Sequence, residues 1–196
     1  MDKPSQSAPL AGLTALAFWF LRHGETDWNA RGWSQGNVDI PLNAAGLAQA
    51  RAAAGLLRHR GIATLVSSPL SRARVTAEFV AEAVGVTVDF DDGLREAAFG
   101  VQEGQPMTDW FADWIAGKGA PEGAETFAAL RTRATAAINR ALARPAPVLV
   151  VAHGALFRAV RAEMGLEPNM RTPNATPLFC MPGAPWTLTP AAPVAG

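Results

Sequence analysis

The sequence predicts an α/β fold: a three-layer sandwich with a mostly parallel central sheet and helices on both faces. Three observations carry this expectation. Short apolar runs with β-branched residues alternate with longer stretches of helical periodicity. The runs at 13–21 and 147–152 are apolar at nearly every position, as in strands buried on both faces. Each run then leads into a polar cluster, Arg22-His23-Gly24-Glu25-Thr26-Asp27-Trp28-Asn29 in the first case and His153-Gly154 in the second. Polar clusters at the C-terminal tips of strands are where open α/β sheets bind ligands.

Taken in order, residues 1–12 are rich in Pro, Ser and Ala and are expected to form a loose arm. Residues 14–21 read as the first strand. The stretch 27–42 holds Gly32, Gly36, Asn37 and Pro41 and reads as a loop. Asn43 suits the N-cap of a helix over 44–59, with Gly61 just past its end. A second strand covers 62–67. Ser68-Pro69-Leu70-Ser71 then turns into a helix over 72–84 that Gly85 ends, and a third strand covers 86–90. Residues 91–107 are polar, with Gly93, Gly100, Gly104 and Pro106, the composition of a functional loop. Within 108–116, Trp110, Phe111, Trp114 and Ile115 recur at helical spacing. This stripe is expected to pack on the core rather than to form a substrate wall.

A loop at 117–123 precedes a long helix over 125–143, and the buried strand at 147–152 follows. After His153-Gly154 a helix runs to Met164, with Gly165 as its stop. Residues 176–181 and 186–188 read as short, Pro-bounded edge strands. No internal repeat or linker is visible, so one domain is expected over 1–196, with loose ends at 1–12 and about 190–196.

Composition narrows the function. The chain has 196 residues, 49% apolar and 17% charged, which suits a single globular core. Its formal net charge is zero. Nucleic-acid and anionic-membrane surfaces need a basic excess, so neither partner is expected. Lys3 and Lys118 are the only lysines. The arginine bias suits phosphate recognition through a planar fork, and a GC-rich genome explains it equally well. The lone Cys180 lies in an apolar run, where packing is its expected role. His23, His59 and His153 show no metal-ligand spacing, and neither metal nor cofactor is expected. Residues 10–21 have the length of a signal-peptide core, with Ala15-Leu16-Ala17 resembling a cleavage site. Cleavage there would remove most of the strand that carries Arg22-His23, so a cytoplasmic location is expected. No apolar run is long enough to span a membrane.

The chemistry centres on the two strand tips and a third element. Ser67-Ser68-Pro69-Leu70-Ser71-Arg72 places an arginine at a helix start, where helix N-terminus and guanidinium together favour an anion. If these three sites converge they form a pocket of two arginines and two histidines. Such a pocket fits a phosphoryl group transferred to an imidazole nitrogen. His59, within Arg58-His59-Arg60 at a helix end, reads as a solvated residue.

These residues resemble the histidine phosphatase superfamily, also called phosphoglycerate-mutase-like. The resemblance spans roughly residues 15–182. It rests on Leu21-Arg22-His23-Gly24-Glu25-Thr26 with Trp28-Asn29, and on Ser67-Ser68-Pro69-Leu70 with Arg72-Ala73 and Thr76-Ala77. It rests also on Leu94 with Glu96 and Phe99-Gly100, on Glu103-Gly104, on Gly123 with Glu125, and on Val151-Ala152-His153-Gly154. The resemblance implies a phosphoglycerate-mutase-like fold and a phosphohistidine mechanism. It makes His23 the nucleophile. It makes Arg22, Arg72 and His153 ligands of the phosphoryl oxygens, with Asn29 beside them, and Glu96 the proton donor to the leaving oxygen. Glu103 and Glu125 lie in loops near Glu96 and remain alternatives for the acid.

Mutases of this family carry basic residues directly after the acidic Glu and a longer excursion after that loop. Here Ala97-Ala98-Phe99 follow Glu96, and the stretch 103–123 is short and rich in Trp and Phe. Both departures favour a metal-independent phosphomonoesterase acting on small organic phosphate esters. Trp28, Trp33, Phe99 and Trp110 are candidates for the pocket mouth. Ala124, where the family often has Gly, does not touch the chemistry. A phosphoglycerate mutase is the second reading, and a non-catalytic relative that binds a phosphorylated ligand is the third. A small phosphate monoester is the expected partner, and the oligomeric state is left open, a homodimer included.

Overall fold

A computed structural model describes residues 12–193. Its centre is a six-stranded sheet built from β1 (Phe18–Arg22), β2 (Thr64–Ser67), β3 (Val88–Phe90), β4 (Val148–Ala152), β5 (Pro177–Met181) and β6 (Thr187–Pro190). The spatial order is β3-β2-β4-β1-β5-β6. The first four of these run parallel, while β5 and β6 pair antiparallel. The helices are α1 (Asp27–Arg31), α2 (Ala44–Leu57), α3 (Ser71–Val84), α4 (Trp110–Ile115), α5 (Phe127–Leu142) and α6 (Gly154–Glu163).

Strand alternation explains the three layers. Phe18 and Phe20 of β1, with Val148, Val150 and Ala152 of β4, belong to one buried cluster, together with residues of α5 and α6. Trp19 and Leu21, with Leu149 and Val151, belong to the other, with α2 and α3. Each strand therefore feeds two cores, which is why its sequence is apolar throughout. Phe20 stacks on Phe157 of α6 with ring centroids 3.8 Å apart. Cys180 is fully buried in the α5–α6 layer, as its apolar surroundings predict.

The aromatic stripe joins the same layer. Trp114 is completely buried, and Phe99 packs edge-on against Trp110, Phe111 and Trp114 at 5.4, 5.9 and 5.4 Å.

The structure corrects the sequence reading in four places. The first strand begins at Phe18, because its partners begin there: Phe18 faces Cys180 and Trp19 faces Leu149. The expected loop after Asp27 opens with the helix α1. Thr26 caps it, and the Asn29 side chain returns a bond to the Thr26 backbone. Asn replaces the Glu or Gln of the usual capping pattern, which hid the signal. β5 is an interior strand between β1 and β6, and tolerates Pro177 because that residue starts it. Pro190 closes β6, and the next two residues bond to the body of the fold: Ala191 N donates to Pro177 O and Ala192 O accepts from Arg60. That much of the expected C-terminal loose end is tied down. The N-terminal arm lies outside the described residues, apart from Gly12, whose carbonyl accepts from Asn139.

Candidate active site

Strand register assembles the site. Arg22 of β1 is level with Ala152 of β4, and Ser67 of β2 with Val151, so three adjacent tips end together. Main-chain pairing continues one step further, with His23 N donating to Ala152 O and Ser68 N to Val151 O, both at 3.0 Å. The His23 and His153 rings consequently lie 5.2 Å apart, centroid to centroid. The Ser68 hydroxyl reaches Nε2 of His153 at 2.7 Å.

His23 has a defined tautomer. Its Nδ1 lies 2.7 Å from the carbonyl oxygen of Gly24. A carbonyl only accepts, so Nδ1 carries the proton and Nε2 keeps the lone pair. Burial, then the charges of Arg72 and Arg22, hold the imidazole well below its usual titration range. It is neutral, the state in which an imidazole can act as a nucleophile. The turn after it is pressed against α2, where a Cβ on Gly24 would collide with the Gly46 carbonyl. Thr76 of α3 fixes the same turn by accepting from Gly24 N at 3.1 Å.

Arg22 and Arg72 are both buried beside it, and each has a Nε–H without a protein partner. Arg22 donates through Nη1 to Thr172 O at 2.6 Å. Arg72 donates to Val38 O at 2.8 Å and Gly36 O at 2.7 Å. Burial lowers both guanidinium groups to about 10, and the Glu96 carboxylate is the leading influence opposing that. Both stay charged at neutral pH. A buried cation with an unmet N–H is an anion receptor in waiting. The approach is close: a Cβ on Gly154 would sit 3.3 Å from Arg22 Nε.

One element of the sequence reading is corrected here. The N-terminus of α3 was expected to favour a ligand anion. Asp39 occupies it instead, accepting from the Ser71 N–H at 2.8 Å and the Ser71 hydroxyl at 2.7 Å. The N-terminus of α6 is likewise taken by Glu96. Its Oε2 accepts from Ala155 N at 3.0 Å, and its Oε1 from Leu156 N at 2.9 Å and Ala97 N at 3.1 Å. Both helix N-termini are therefore satisfied within the chain, and an anion at the strand tips would be left to side chains.

The three glutamates considered for the acid separate cleanly. Glu96 lines the pocket with Arg22, His23 and Arg72. Glu103 is a loop staple, its Oε1 accepting from Asn37 N and Phe99 N. Glu125 forms a two-pronged ion pair with Arg133 at 2.6 and 3.0 Å. Arg133 also donates to Gly93 O and Arg95 O, both at 2.9 Å, which holds the loop carrying Glu96.

His153 stands behind His23 rather than on the pocket wall. It is fully buried, its Nδ1 has no protein partner, and burial holds it well below the usual imidazole range. Asn29 reaches the pocket, and Asn174 sets its orientation: Asn174 Nδ2 donates to Asn29 Oδ1 at 3.1 Å and to His23 O at 3.0 Å. Of the four aromatic residues proposed for the mouth, Trp33 and Phe99 line the pocket. Trp28 packs behind Trp33 and Trp110 behind Phe99. His59 is exposed at the end of α2.

The pocket has a volume of about 280 Å³, small for a ligand site. It also takes in Gln35, Arg158, Arg171 and Thr172, which sequence reasoning did not single out. Arg158 was accessible to it: it lies four residues beyond Gly154, on the same face of α6. Nothing local marks Thr172, Asn174 or Arg171. Among the described residues no group of three or more His, Cys, Asp or Glu is arranged to hold a metal ion.

The profile of the histidine phosphatase superfamily (branch 1) matches residues 18–175. A probable phosphoglycerate mutase GpmB of Yersinia enterocolitica is 38% identical over 167 residues, covering 79% of this chain and 77% of that protein. The vanadate-type complex (VO3) of a mycobacterial glucosyl-3-phosphoglycerate phosphatase superposes with a TM-score of 0.73 at 30% identity, covering 88% of this chain and 96% of that one. The Entamoeba histolytica phosphoserine phosphatase, solved with 3-phosphoglyceric acid, shares the fold with a TM-score of 0.75 at 22% identity, over 90% and 96% of the two chains. On the family match and the strand-tip arrangement together, this chain belongs to the histidine phosphatase superfamily.

Proposed function

We propose that the protein is a metal-independent phosphomonoesterase that hydrolyses small organic phosphate esters through a phosphohistidine on His23. The observation that carries this reading is the lone-pair-bearing Nε2 of His23 beside two buried arginines, each with an unmet Nε–H. In the first step Nε2 forms a bond to phosphorus as the bond to the ester oxygen breaks. Arg22 and Arg72 take up charge on the equatorial oxygens, with Asn29 at the edge, and the Nδ1–H of His153, buried beside His23 and outside the pocket lining, joins them once the phosphoryl group is on His23. Glu96 gives its proton to the departing alkoxide through Oε2, which has one protein donor against two on Oε1. In the second step water attacks phosphorus, Glu96 takes its proton, and inorganic phosphate leaves a neutral His23.

Hydrolysis rather than transfer follows from the segment after Glu103. A mutase must cover its phosphohistidine. Here Trp114 of α4 is completely buried in the core, and Phe111 is buried where the core meets the pocket wall, so this short segment has little to spare as a cover. A cytoplasmic enzyme is the setting this reading assumes; among the described residues no helix is long and apolar enough to cross a membrane.

A phosphoglycerate mutase is the second reading, favoured by the 38% identity to the probable GpmB of Yersinia enterocolitica. Both activities are to be measured on one preparation. Phosphate release from several monoesters is expected, with little interconversion of 3- and 2-phosphoglycerate even when 2,3-bisphosphoglycerate is added. Mutase turnover well above phosphate release would overturn the choice. Label from a phosphate donor should be acid-labile and sit on His23, and His23→Ala should lower turnover by roughly a thousandfold or more. Wild-type activity in that variant would exclude the mechanism.

A further inference from the structure

Arg72 enters the pocket from α3, but the groups that aim it lie on another segment. Both of its Nη atoms are tied to one short loop, Nη2 to Gly36 O at 2.7 Å and Nη1 to Val38 O at 2.8 Å. Its Nε–H is left without a protein partner beside the pocket. A planar fork tethered at two points sends its remaining donor in one direction. That direction is only as well defined as the loop 36–38 is rigid.

Asn37, between the two carbonyls, is gripped from the segment 95–103. Its N–H donates to Glu103 Oε1 at 3.0 Å, and its Oδ1 accepts from Arg95 Nε at 3.2 Å. The same Glu103 oxygen accepts from Phe99 N at 3.1 Å. Arg95 directly precedes Glu96, and Phe99 follows it closely. One carboxylate oxygen therefore joins the loop that aims Arg72 to the loop that carries Glu96. Gly36 allows this approach: its φ is +54°, and a Cβ there would collide with the Glu103 carboxylate.

The two loops do not need Glu103 merely to stay together. Main-chain bonds join them further along: Ser34 N donates to Gln105 O at 2.9 Å, Gly104 N to Ser34 O at 2.8 Å and Met107 N to Gly32 O at 2.9 Å. Glu103 does not line the pocket, and among the described residues it forms no ion pair. What its half-buried carboxylate adds is the placement of residues 36–38.

We infer that Glu103 is a positioning residue: it aims Arg72 at the phosphoryl group through Asn37, and keeps Arg72 in register with Glu96 through Phe99. This rests on the phosphomonoesterase reading for the role of Arg72. It gives Glu103 no part in proton transfer, so losing Glu103 differs in kind from losing the acid. A misaimed Arg72 weakens the hold on phosphate and on the equatorial oxygens alike, whichever ester oxygen departs.

The test is a double-mutant cycle on the full chain, read by calorimetry with inorganic phosphate. Glu103→Ala should weaken phosphate binding by about tenfold, the scale of a lost hydrogen bond to a charged group. Arg72→Lys, which keeps a charge without the fork, should weaken it too. The double variant should bind little worse than Arg72→Lys alone, because the fork that Glu103 aims is then absent. Glu103→Gln, whose amide oxygen can still accept from both N–H groups, should recover most of the loss. In kinetics Glu103→Ala should slow p-nitrophenyl phosphate and glycerol 3-phosphate by the same factor, in contrast to Glu96→Gln. Additive losses in the cycle overturn the inference, as does unchanged phosphate affinity in Glu103→Ala. A larger loss on glycerol 3-phosphate also overturns it, and would give Glu103 a role in proton transfer. If Glu103→Ala does not fold, Glu103→Asp replaces it in the same cycle, keeping the charge but one carbon too short for both N–H groups. Phosphate binding needs no turnover, so the two readings fail separately. Coupled losses in a protein that hydrolyses neither ester sink the phosphatase reading alone, and hydrolysis of both esters with additive losses sinks the positioning role alone.

Discussion

Nε2 of His153 and Oγ of Ser68 lie 2.7 Å apart, entirely buried, at the tips of neighbouring parallel strands. Ser68 Oγ also accepts from Leu70 N at 3.3 Å, which leaves its own proton free to donate to the imidazole. In that arrangement His153 carries its proton on Nδ1, the ring nitrogen with no protein partner. Ser68 is then a positioning residue acting through His153. Ser68→Ala should weaken inorganic phosphate and kcat/KM by about tenfold, the worth of one buried hydrogen bond of about 1–1.5 kcal/mol. Ser68→Thr, which keeps the hydroxyl, should recover most of the loss. Equal activity in Ser68→Ala and the parent would remove this role.

Glu96→Gln has two expected effects. Both carboxylate oxygens accept from backbone N–H groups, so an amide would turn a donor toward Ala155 or Leu156. Unfolding midpoints should show a cost of about 1–3 kcal/mol. Esters with poor leaving groups should slow by roughly a hundredfold or more, because they need the proton. p-Nitrophenyl phosphate, whose leaving group needs little protonation, should lose less. The same rate loss on both esters would move the acid role away from Glu96.

The two buried histidines tie stability to pH. Burial is the first cause holding both below the usual range, with the Arg72 charge next. The unfolded chain takes up protons on them near pH 6.5 while the native state does not, so acid favours unfolding. This contribution is fully present above about pH 6.5 and falls as pH drops below it, by up to about 1.4 kcal/mol per histidine for each pH unit. Urea midpoints between pH 8 and pH 5 will show the slope. Imidazole NMR signals of His23 and His153 should stay those of neutral rings over that range. Ordinary titration of both near pH 6.5 would contradict it.

Activity should persist in excess EDTA. The described residues offer no cluster of metal-ligating side chains, and the proposed chemistry uses arginine and imidazole for the charge a divalent ion would otherwise carry. Complete loss of phosphate release, restored by a divalent cation, would point to a metallophosphatase instead.

Much of the site was legible in the sequence because its central members are local features of strand tips. Apolar runs predict β1 and β4, and the residues just past each run must emerge at a sheet edge, so Arg22, His23 and His153 could be placed without any long-range contact. The order of adjacent elements likewise put Arg72 at the start of α3. What only the tertiary structure decided lies in contacts between distant segments. Arg22 is anchored by Thr172, 150 residues away, and Glu96 caps a helix whose bonded residues lie 59 and 60 positions on. Asp39 claims the α3 terminus that the sequence alone offers to a ligand. Glu96 and Glu103, alike in sequence, part company because one meets the N–H groups of α6 and the other those of Asn37 and Phe99. Hydrophobic periodicity carries information over a few residues along one element. Which carboxylate meets which helix end, and which arginines share one pocket, depends on how the layers pack against the sheet, and no local pattern encodes that.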